Sequence, residues 1–296
     1  MNHKHEHAYQ VGAGGAWIGI LSNIVLFVVK FLAGIFGRSQ AMIADAFHTA
    51  SDAMTSIAVL VGFKIAQKPA DSEHPFGHGR AESIAAKIVS LVLIFVGLKL
   101  VHDSAKILIL KEAVRPHSIA LVVAVISIIV KEVTYRQVLL KSKEINSASL
   151  RADAYHHRSD ALSSIAALVG IAGARMGWTF LDPLAGILVA GFIIKVGTEV
   201  FHMAYDELMD AAPPKPLVEK IKRVVMGTEG IVKVKKVMVR KYGIVLFLEI
   251  TVGVAGSKTV QEGHSITTKV ENNIFKAMPD VENVTVHVEP AEGSRS

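Results

Sequence analysis

The feature that most constrains this chain is a series of long apolar runs, each about as long as the ~20 residues that a helix needs to cross a bilayer. These runs recur through the first two thirds of the 296 residues and then stop. Hydrophobic residues make up 51% of the chain and charged residues only 20%, which is too apolar for an ordinary soluble domain. The sequence therefore predicts an α-helical integral membrane protein with a soluble C-terminal region.

The apolar runs divide into about six predicted membrane-spanning helices. They cover approximately residues 13–36, 41–66, 83–106, 118–138, 148–174 and 180–204. The first segment, MNHKHEHAYQ, is polar and has no short apolar core with a cleavage site, so we expect no signal peptide. We therefore predict a cytoplasmic, histidine-containing tail over residues 1–12 and a six-helix transmembrane domain over 13–209.

Lysine and arginine residues in the short connections indicate the orientation, because they accumulate on the cytoplasmic side of a membrane. The connections between spans two and three and between spans four and five are the more basic ones. Both termini are accordingly expected in the cytoplasm, in a multi-pass protein of the plasma (inner) membrane. Much of the net charge of +6 lies next to the membrane, where anionic lipid is a simpler partner than nucleic acid.

After Asp210 the hydropathy falls, and the segment AAPPKP interrupts any membrane helix. Residues 210–296 are predicted to form a cytoplasmic α+β domain with the element order αββαβ, as in metallochaperones. The predicted elements are a helix at 216–226, strands at 231–240 and 244–252, a helix at 257–277 and a strand at 284–288. Alternating Val and Lys in VKVKKVMVR place apolar side chains on one face of the first strand.

Two of the apolar runs carry the same polar pattern, IADAFHTASDAMTSIAVLVG in the second and RADAYHHRSDALSSIAALVG in the fifth. His48 and Asp52 are four residues apart, as are His156 and Asp160, so each pair shares one face of its helix. Each histidine lies roughly eight to ten residues into its span, about half of a ~30 Å hydrocarbon core. Because the two spans run in opposite directions, the pairs are expected to meet near the bilayer midplane.

Ionisable side chains at that depth cost roughly 2.5 to more than 10 kcal/mol, so their presence indicates a function. Two carboxylates and two neutral imidazoles around one divalent ion give zero net charge and a tetrahedral N/O site, which suits zinc. The chain has no cysteine, which excludes thiolate ligands. When the metal leaves, protons must replace it, and histidine is readily protonated near neutral pH. The alternative, polar pairs that only join helices, fits a repeated motif less well.

Asp45 and Asp153 lie three residues before His48 and His156, near the same helix faces. We interpret these carboxylates as outer-shell groups that orient the imidazoles. Helix packing and direct metal ligation are the other interpretations of the two residues.

The twin HxxxD pairs and the segment DSEHPFGHGRAES closely resemble those of the cation diffusion facilitators, bacterial zinc and iron efflux proteins with six spans and a cytoplasmic domain. The resemblance covers nearly the whole chain. It implies a homodimer that exchanges a divalent metal for protons, with the two HxxxD pairs as the transport site. Several members have Asp at the position of His48, and a His there resembles carriers of zinc, cobalt or cadmium more than those of manganese.

The loop after the second span offers Asp71, His74 and His78, with Pro and Gly residues that force turns. These three residues suffice for a second, shallower metal site, and the resemblance implies that the equivalent residues bind metal near the cytoplasmic surface. The alternative is that the histidines only cap turns or contact lipid headgroups.

In the C-terminal domain, His264 lies on the second helix, and His287 and Glu289 share one face of the last strand, with Glu249 as a candidate additional ligand. The resemblance implies a regulatory metal at the interface between the domains of a dimer. Lys235 and Glu249 stand where some relatives have His, so we expect one weaker site. Surface histidines without a role are the alternative.

Arg80 begins the third span and Asp210 follows the sixth, so both are expected at the cytoplasmic face, where the resemblance implies an ion pair near the dimer interface. Together these features predict a divalent cation/proton antiporter that exports zinc, or else cadmium, cobalt, iron or manganese, by alternating access. We expect no resident cofactor. A membrane metal sensor and a metalloenzyme are the alternatives. Four protein ligands close the shell, and the chain has no HExxH or GxSxG, which disfavours the enzyme.

Overall fold

A computed structural model describes residues 3–66, 68–144, 148–242 and 245–291. Six long helices precede a small α+β domain in the described part of the chain. The long helices are α1 (His3–Gly37), α2 (Gln40–Ala66), α3 (Ala81–Ile109), α4 (Ser118–Glu144), α5 (Ala148–Arg175) and α6 (Leu181–Leu208). They match the predicted spans to within a few residues, except at the start of α1 and at the end of α4, which continues six residues beyond the predicted span.

Helix α1 begins at His3, so the residues from His3 onwards in the predicted N-terminal tail continue the first helix. The segment contains no proline, and its Ala, Glu, Gln and Lys residues favour helix, which explains the extension beyond the apolar run. The side chains of residues 3–18 lie outside the described ones.

Among the described residues, four stretches are long and apolar enough to cross a membrane by length and composition. They are Gly19–Gly37, Ala81–Ile109, Ser118–Lys143 and Leu181–Leu208. Helices α2 and α5 are of similar length, with 27 and 28 residues, but they carry the polar residues of the repeated motif. The two helices that hold the predicted ligands are thus the ones with the weaker apolar signal.

The chain divides into two compact units, one of residues 1–60 and 86–201 and the other of residues 61–85 and 202–296. In the first unit, α4 packs against α1 and α5. Small side chains let membrane helices approach closely. Buried small residues of this unit include Ala33, Ala41, Ala44, Ala120, Ala124 and Ala167. The second unit includes the loop between α2 and α3 and all residues from 202 onwards.

The second unit also contains the αββαβ domain in the predicted order. Its elements are α7 (Lys215–Met226), β1 (Ile231–Tyr242), β2 (Val245–Val254), α8 (Val260–Ala277) and β3 (Val281–Pro290). Strand β2 is central, antiparallel to β1 and parallel to β3. Its side chains Leu248, Ile250 and Val252 are buried in a core that α7 and α8 complete with Ile221 and Ile274. The alternation predicted for β1 holds only in part: Val239 is buried, but Val232 is exposed and Lys235 is half-buried, because shifts of register interrupt the pairing of β1 with β2.

Helix α8 begins at Val260, slightly later than predicted, because Thr259 caps it. The Thr259 hydroxyl accepts a hydrogen bond from the Glu262 backbone N–H, and the Glu262 carboxylate accepts one from the Thr259 backbone N–H. Hydrogen bonds from Lys258 and Thr259 lower the pKa of Glu262 to about 2. The cap therefore keeps its charge at any physiological pH.

Candidate metal transport site

Three of the four predicted transport ligands form one buried cluster in the first unit. His48 and Asp52 come from α2 and Asp160 from α5, and a ligand atom of each lies within 4.8 Å of the other two. All three side chains are buried. The i, i+4 spacing places His48 and Asp52 on one face of α2, and that face meets the Asp160 turn of α5.

His156 lies at the rim of this cluster, with a side chain that is 57% exposed. Its Nε2 atom is 3.7 Å from Asp160 Oδ1 and 3.9 Å from Asp52 Oδ1. In a tetrahedral zinc site with bonds of about 2.0–2.1 Å, donor atoms are about 3.3 Å apart. If the two distances from His156 shortened by roughly half an ångström, its Nε2 atom would be in position to act as the fourth ligand.

A second histidine, His157, also lies beside Asp160. It is buried, and its Nδ1 atom is 3.9 Å from Asp160 Oδ2. Histidines three and four residues before Asp160 therefore both approach its carboxyl group, whereas the HxxxD motif contains only His156. The side chain of Asp153, which we predicted to orient an imidazole, lies outside the described residues.

Asp45 contacts a lysine and two hydroxyls, which corrects the prediction that it orients an imidazole. Its Oδ2 atom lies 2.8 Å from Lys30 Nζ, with both side chains fully buried. Ser163 and Ser164 donate hydrogen bonds to Asp45 Oδ1 over 3.0 and 3.1 Å. Lys30 also donates to Thr49 and to Ser164. This network joins α1, α2 and α5, so helix packing, one of the alternatives, describes Asp45.

Lys131 of α4 also belongs to the site, although it lies outside the repeated motif that predicted the ligands. Its ammonium donates hydrogen bonds to Asp160 Oδ2 over 2.9 Å and to Asn23 Oδ1 over 2.9 Å, and lies 3.5 Å from Asp52 Oδ2. The side chain is only 1% exposed. The available signal was a lysine inside the apolar run SIALVVAVISIIVKE, since a charge within a membrane span is rarely incidental.

The loop residues Asp71, His74 and His78 form a separate, largely exposed cluster in the second unit. Asp71 Oδ1 accepts hydrogen bonds from the backbone N–H groups of His74 and Glu73, over 2.7 and 3.0 Å. His74 Nδ1 and His78 Nε2 lie 3.3 and 3.6 Å from its carboxylate oxygens. The His74 backbone N–H lowers the pKa of Asp71, so an ionised carboxylate faces two imidazoles. This geometry is compatible with a divalent metal.

The predicted C-terminal ligands are only partly close to one another. His287 Nε2 lies 3.4 Å from Glu289 Oε1, but Lys235 Nζ donates to Glu289 Oε2 over 2.7 Å. This hydrogen bond lowers the pKa of Glu289. Glu249 lies near an arginine, and His264 joins no group of three potential ligands among the described residues. A metal here would need additional ligands.

Arg80 and Asp210, both in the second unit, form the predicted ion pair. Arg80 Nη2 donates to Asp210 Oδ1 over 2.8 Å. A second arginine, Arg240 of β1, places its Nε atom 3.3 Å from Asp210 Oδ2. The Arg80 guanidinium also lies over the ring of Tyr242, 4.9 Å from its centroid. Asp210 thus connects the loop before α3 with strand β1.

Comparison with known proteins gives matches along nearly the whole chain. The family model for the cation efflux transmembrane domain matches residues 16–209, and that for the cation efflux protein cytoplasmic domain matches residues 213–291. The chain is 33% identical over 288 residues to the manganese efflux system protein MneP of Bacillus subtilis, covering 95% of this chain and 97% of MneP. It is 35% identical over 272 residues to the uncharacterized transporter MJ0449 of Methanocaldococcus jannaschii, covering 92% and 96% of the two chains. The solved structure MamM-CTD 215-293 aligns with 26% of this chain and 96% of its own, with 20% identity and a TM-score of 0.25.

Proposed function

The chain belongs to the cation efflux family, and from this premise we propose that it exports zinc from the cytoplasm in exchange for protons. Family membership makes it a multi-pass divalent metal efflux transporter of the plasma membrane, from a family of transporters and not of enzymes. The zinc cargo, the proton exchange and the assignment of the site are the parts that we propose.

The buried cluster of His48, Asp52 and Asp160, with His156 within 3.9 Å of both carboxylates, carries this proposal. Imidazole nitrogen suits zinc, whereas manganese prefers an all-oxygen site. A site with two nitrogens and two oxygens therefore favours zinc. Because the relative MneP is named a manganese efflux system protein, manganese is the main competing cargo.

The burial of three ligands and the exposure of the fourth support stepwise loading of the metal. In this proposal, a hydrated ion first meets His156, loses water as it reaches the buried carboxylates, and is then enclosed by four ligands. A buried site of this kind serves transport when it opens to one side of the membrane at a time. Protons replace the metal when it leaves, since its ligands must be deprotonated to hold it.

Two further elements of the proposal concern assembly and regulation. We expect a homodimer, which the match to the cytoplasmic domain of the family supports. The loop cluster around Asp71 is proposed to hold a second metal, and the C-terminal histidines a weaker regulatory one. Neither contributes a ligand to the transported ion in this proposal.

Counterflow in sealed vesicles tests the function directly. Purified protein is placed in proteoliposomes that contain a pH indicator, and a zinc gradient is imposed. Zinc should move down this gradient with saturable kinetics, and protons should move in the opposite direction. The same assay is then repeated with cadmium, iron, cobalt and manganese. Zinc flux without proton flux would refute the exchange. Transport of manganese but not zinc would refute the cargo, and metal binding without any flux would favour the alternative of a metal sensor.

A further inference from the structure

The Lys131 ammonium occupies one side of the proposed transport site. It contacts the Oδ2 atoms of both Asp52 and Asp160, at 3.5 and 2.9 Å, whereas His156 approaches their Oδ1 atoms. Asn23 of α1 accepts another hydrogen bond from Lys131 over 2.9 Å, which fixes the position of the ammonium. A protein cation therefore lies where the two carboxylates converge, opposite the side on which the fourth ligand lies.

We propose that Lys131 is a built-in counter-ion of the transport site, which holds the two carboxylates together when no metal is bound and weakens the binding of metal so that the ion can be released. The inference rests on the proposed function, because it assumes that Asp52 and Asp160 bind the transported ion. Lys131 contributes no ligand to the metal, since an ammonium has no lone pair.

Charge counting supports this role. Between the release of protons and the binding of metal, the imidazoles are neutral and the carboxylates ionised, so the empty ligands alone carry two negative charges; they carry none when they hold a divalent ion. Lys131 changes these values to one negative charge when empty and one positive charge when loaded. The cost of burying charge rises steeply with its magnitude. A transporter must pass through both states, so a site that carries one charge of either sign avoids the expensive buried dianion.

Replacement of the charge is the decisive experiment. Lys131→Met and Lys131→Gln remove the ammonium at nearly constant length, and Lys131→Arg retains a cation. Zinc binding to the purified full-length protein is measured by calorimetry. The zinc ion that wild type binds and the Asp160→Asn variant does not bind is assigned to the transport site. Both neutral variants remove a positive charge that lies within a few ångströms of the metal, so the Kd of the transport site for zinc should fall by about tenfold or more. The Kd of Lys131→Arg should stay close to that of wild type.

A buried lysine elsewhere in the same unit provides a matched control. Lys30 is equally buried, but its partners are Asp45, Thr49 and Ser164, which are not proposed ligands. The double variant Lys30→Met/Asp45→Asn removes a buried ion pair of zero net charge whose contacts are with Thr49, Ser163 and Ser164 and not with the proposed ligands, and it should leave the zinc Kd unchanged. Thermal melts in native membranes over a series of zinc concentrations rank the same affinities without purification, because a ligand stabilises a protein according to its Kd. The part of the stabilisation that Asp160→Asn loses reports on the transport site.

The outcomes separate the two proposals. Unchanged or weaker zinc binding in the neutral Lys131 variants would overturn the proposed role of Lys131. This holds even if Asp160→Asn still removes the zinc ion of the transport site. Equal tightening in the Lys30 control would also overturn it, since the effect would then not depend on contact with the ligands. If Asp160→Asn retains every zinc equivalent, it is the assignment of the transport site that fails.

Discussion

His156 lies one helical turn before Asp160 on α5, and its Nε2 atom is 3.7 Å from Asp160 Oδ1. The imidazole is exposed while the carboxylate is buried, so the pair connects the rim of the site with its interior. In the proposed transport site the two residues should therefore contribute differently: His156 would complete the coordination of the metal, whereas Asp160 is already in place.

Asp160→Asn should abolish saturable zinc flux, because it removes a buried anionic ligand and leaves Lys131 without one of its partners. Loss of a supporting group around a metal typically costs about 10–100-fold, and loss of a ligand should cost more. Flux into proteoliposomes measures the effect. Asp103→Asn, an exposed aspartate paired with Lys99 on α3, is the control and should transport normally. Normal flux in Asp160→Asn would contradict the site.

His48→Asp should widen selectivity toward manganese and iron, because it exchanges a nitrogen ligand for a harder oxygen. The measurement is the ratio of manganese to zinc flux, which should rise relative to wild type. His102→Asp changes the same residue type on α3, outside the cluster, and should leave the ratio unaltered. An unchanged ratio in His48→Asp would mean that selectivity lies elsewhere.

Combined replacement of Asp71, His74 and His78 by alanine should remove one bound metal equivalent without abolishing transport. The reason is that the three residues form their own exposed cluster, and none of them belongs to the buried group around Asp160. Equilibrium dialysis with zinc gives the stoichiometry, and vesicle flux gives the activity. Retention of every bound equivalent would show that these histidines only contribute to turns.

Arg80→Glu should impair dimer stability or transport, because it places a second anion beside Asp210 in place of a 2.8 Å ion pair. Adding Asp210→Arg should restore only part of the loss, since Arg240 also contacts Asp210 and would then face an arginine. Chemical crosslinking of the dimer and flux measure the two effects. Strict additivity of the two substitutions would show that the residues do not interact in the functional state.

Replacement of His264, His287 and Glu289 together should shift the metal concentration at which flux is half-maximal without eliminating flux. A regulatory metal acts only through its different affinity for two states, so its effect is bounded. Lys235→Gln should tighten binding there, because Lys235 now occupies Glu289 Oε2. Complete loss of transport in a well-folded triple variant would refute a purely regulatory role.

The sequence predicted the elements of the fold well, because each depends on a local pattern. Apolar runs predicted six long helices, which the described residues form, although only four stretches among them are long and apolar enough to cross a membrane. The run VKVKKVMVR predicted strand β1. The twin HxxxD spacing selected three residues that the structure gathers into one cluster, since i, i+4 positions share a helix face whatever the helix packs against. The start of α1 was less well predicted, because polar residues continued the helix beyond the apolar run.

By itself, the sequence determined which helices carry the polar residues and how those residues are spaced along each helix. Only the tertiary structure decided which side chains meet between helices: Lys131 with Asp52 and Asp160, Asp45 with Lys30, and the burial of His157 beside an exposed His156. The physical reason is geometric. Successive residues of a helix point about 100° apart, so the rotation of α5 about its axis determines which of the two neighbouring histidines is buried. This rotation is set by packing against α4 and not by any local sequence pattern.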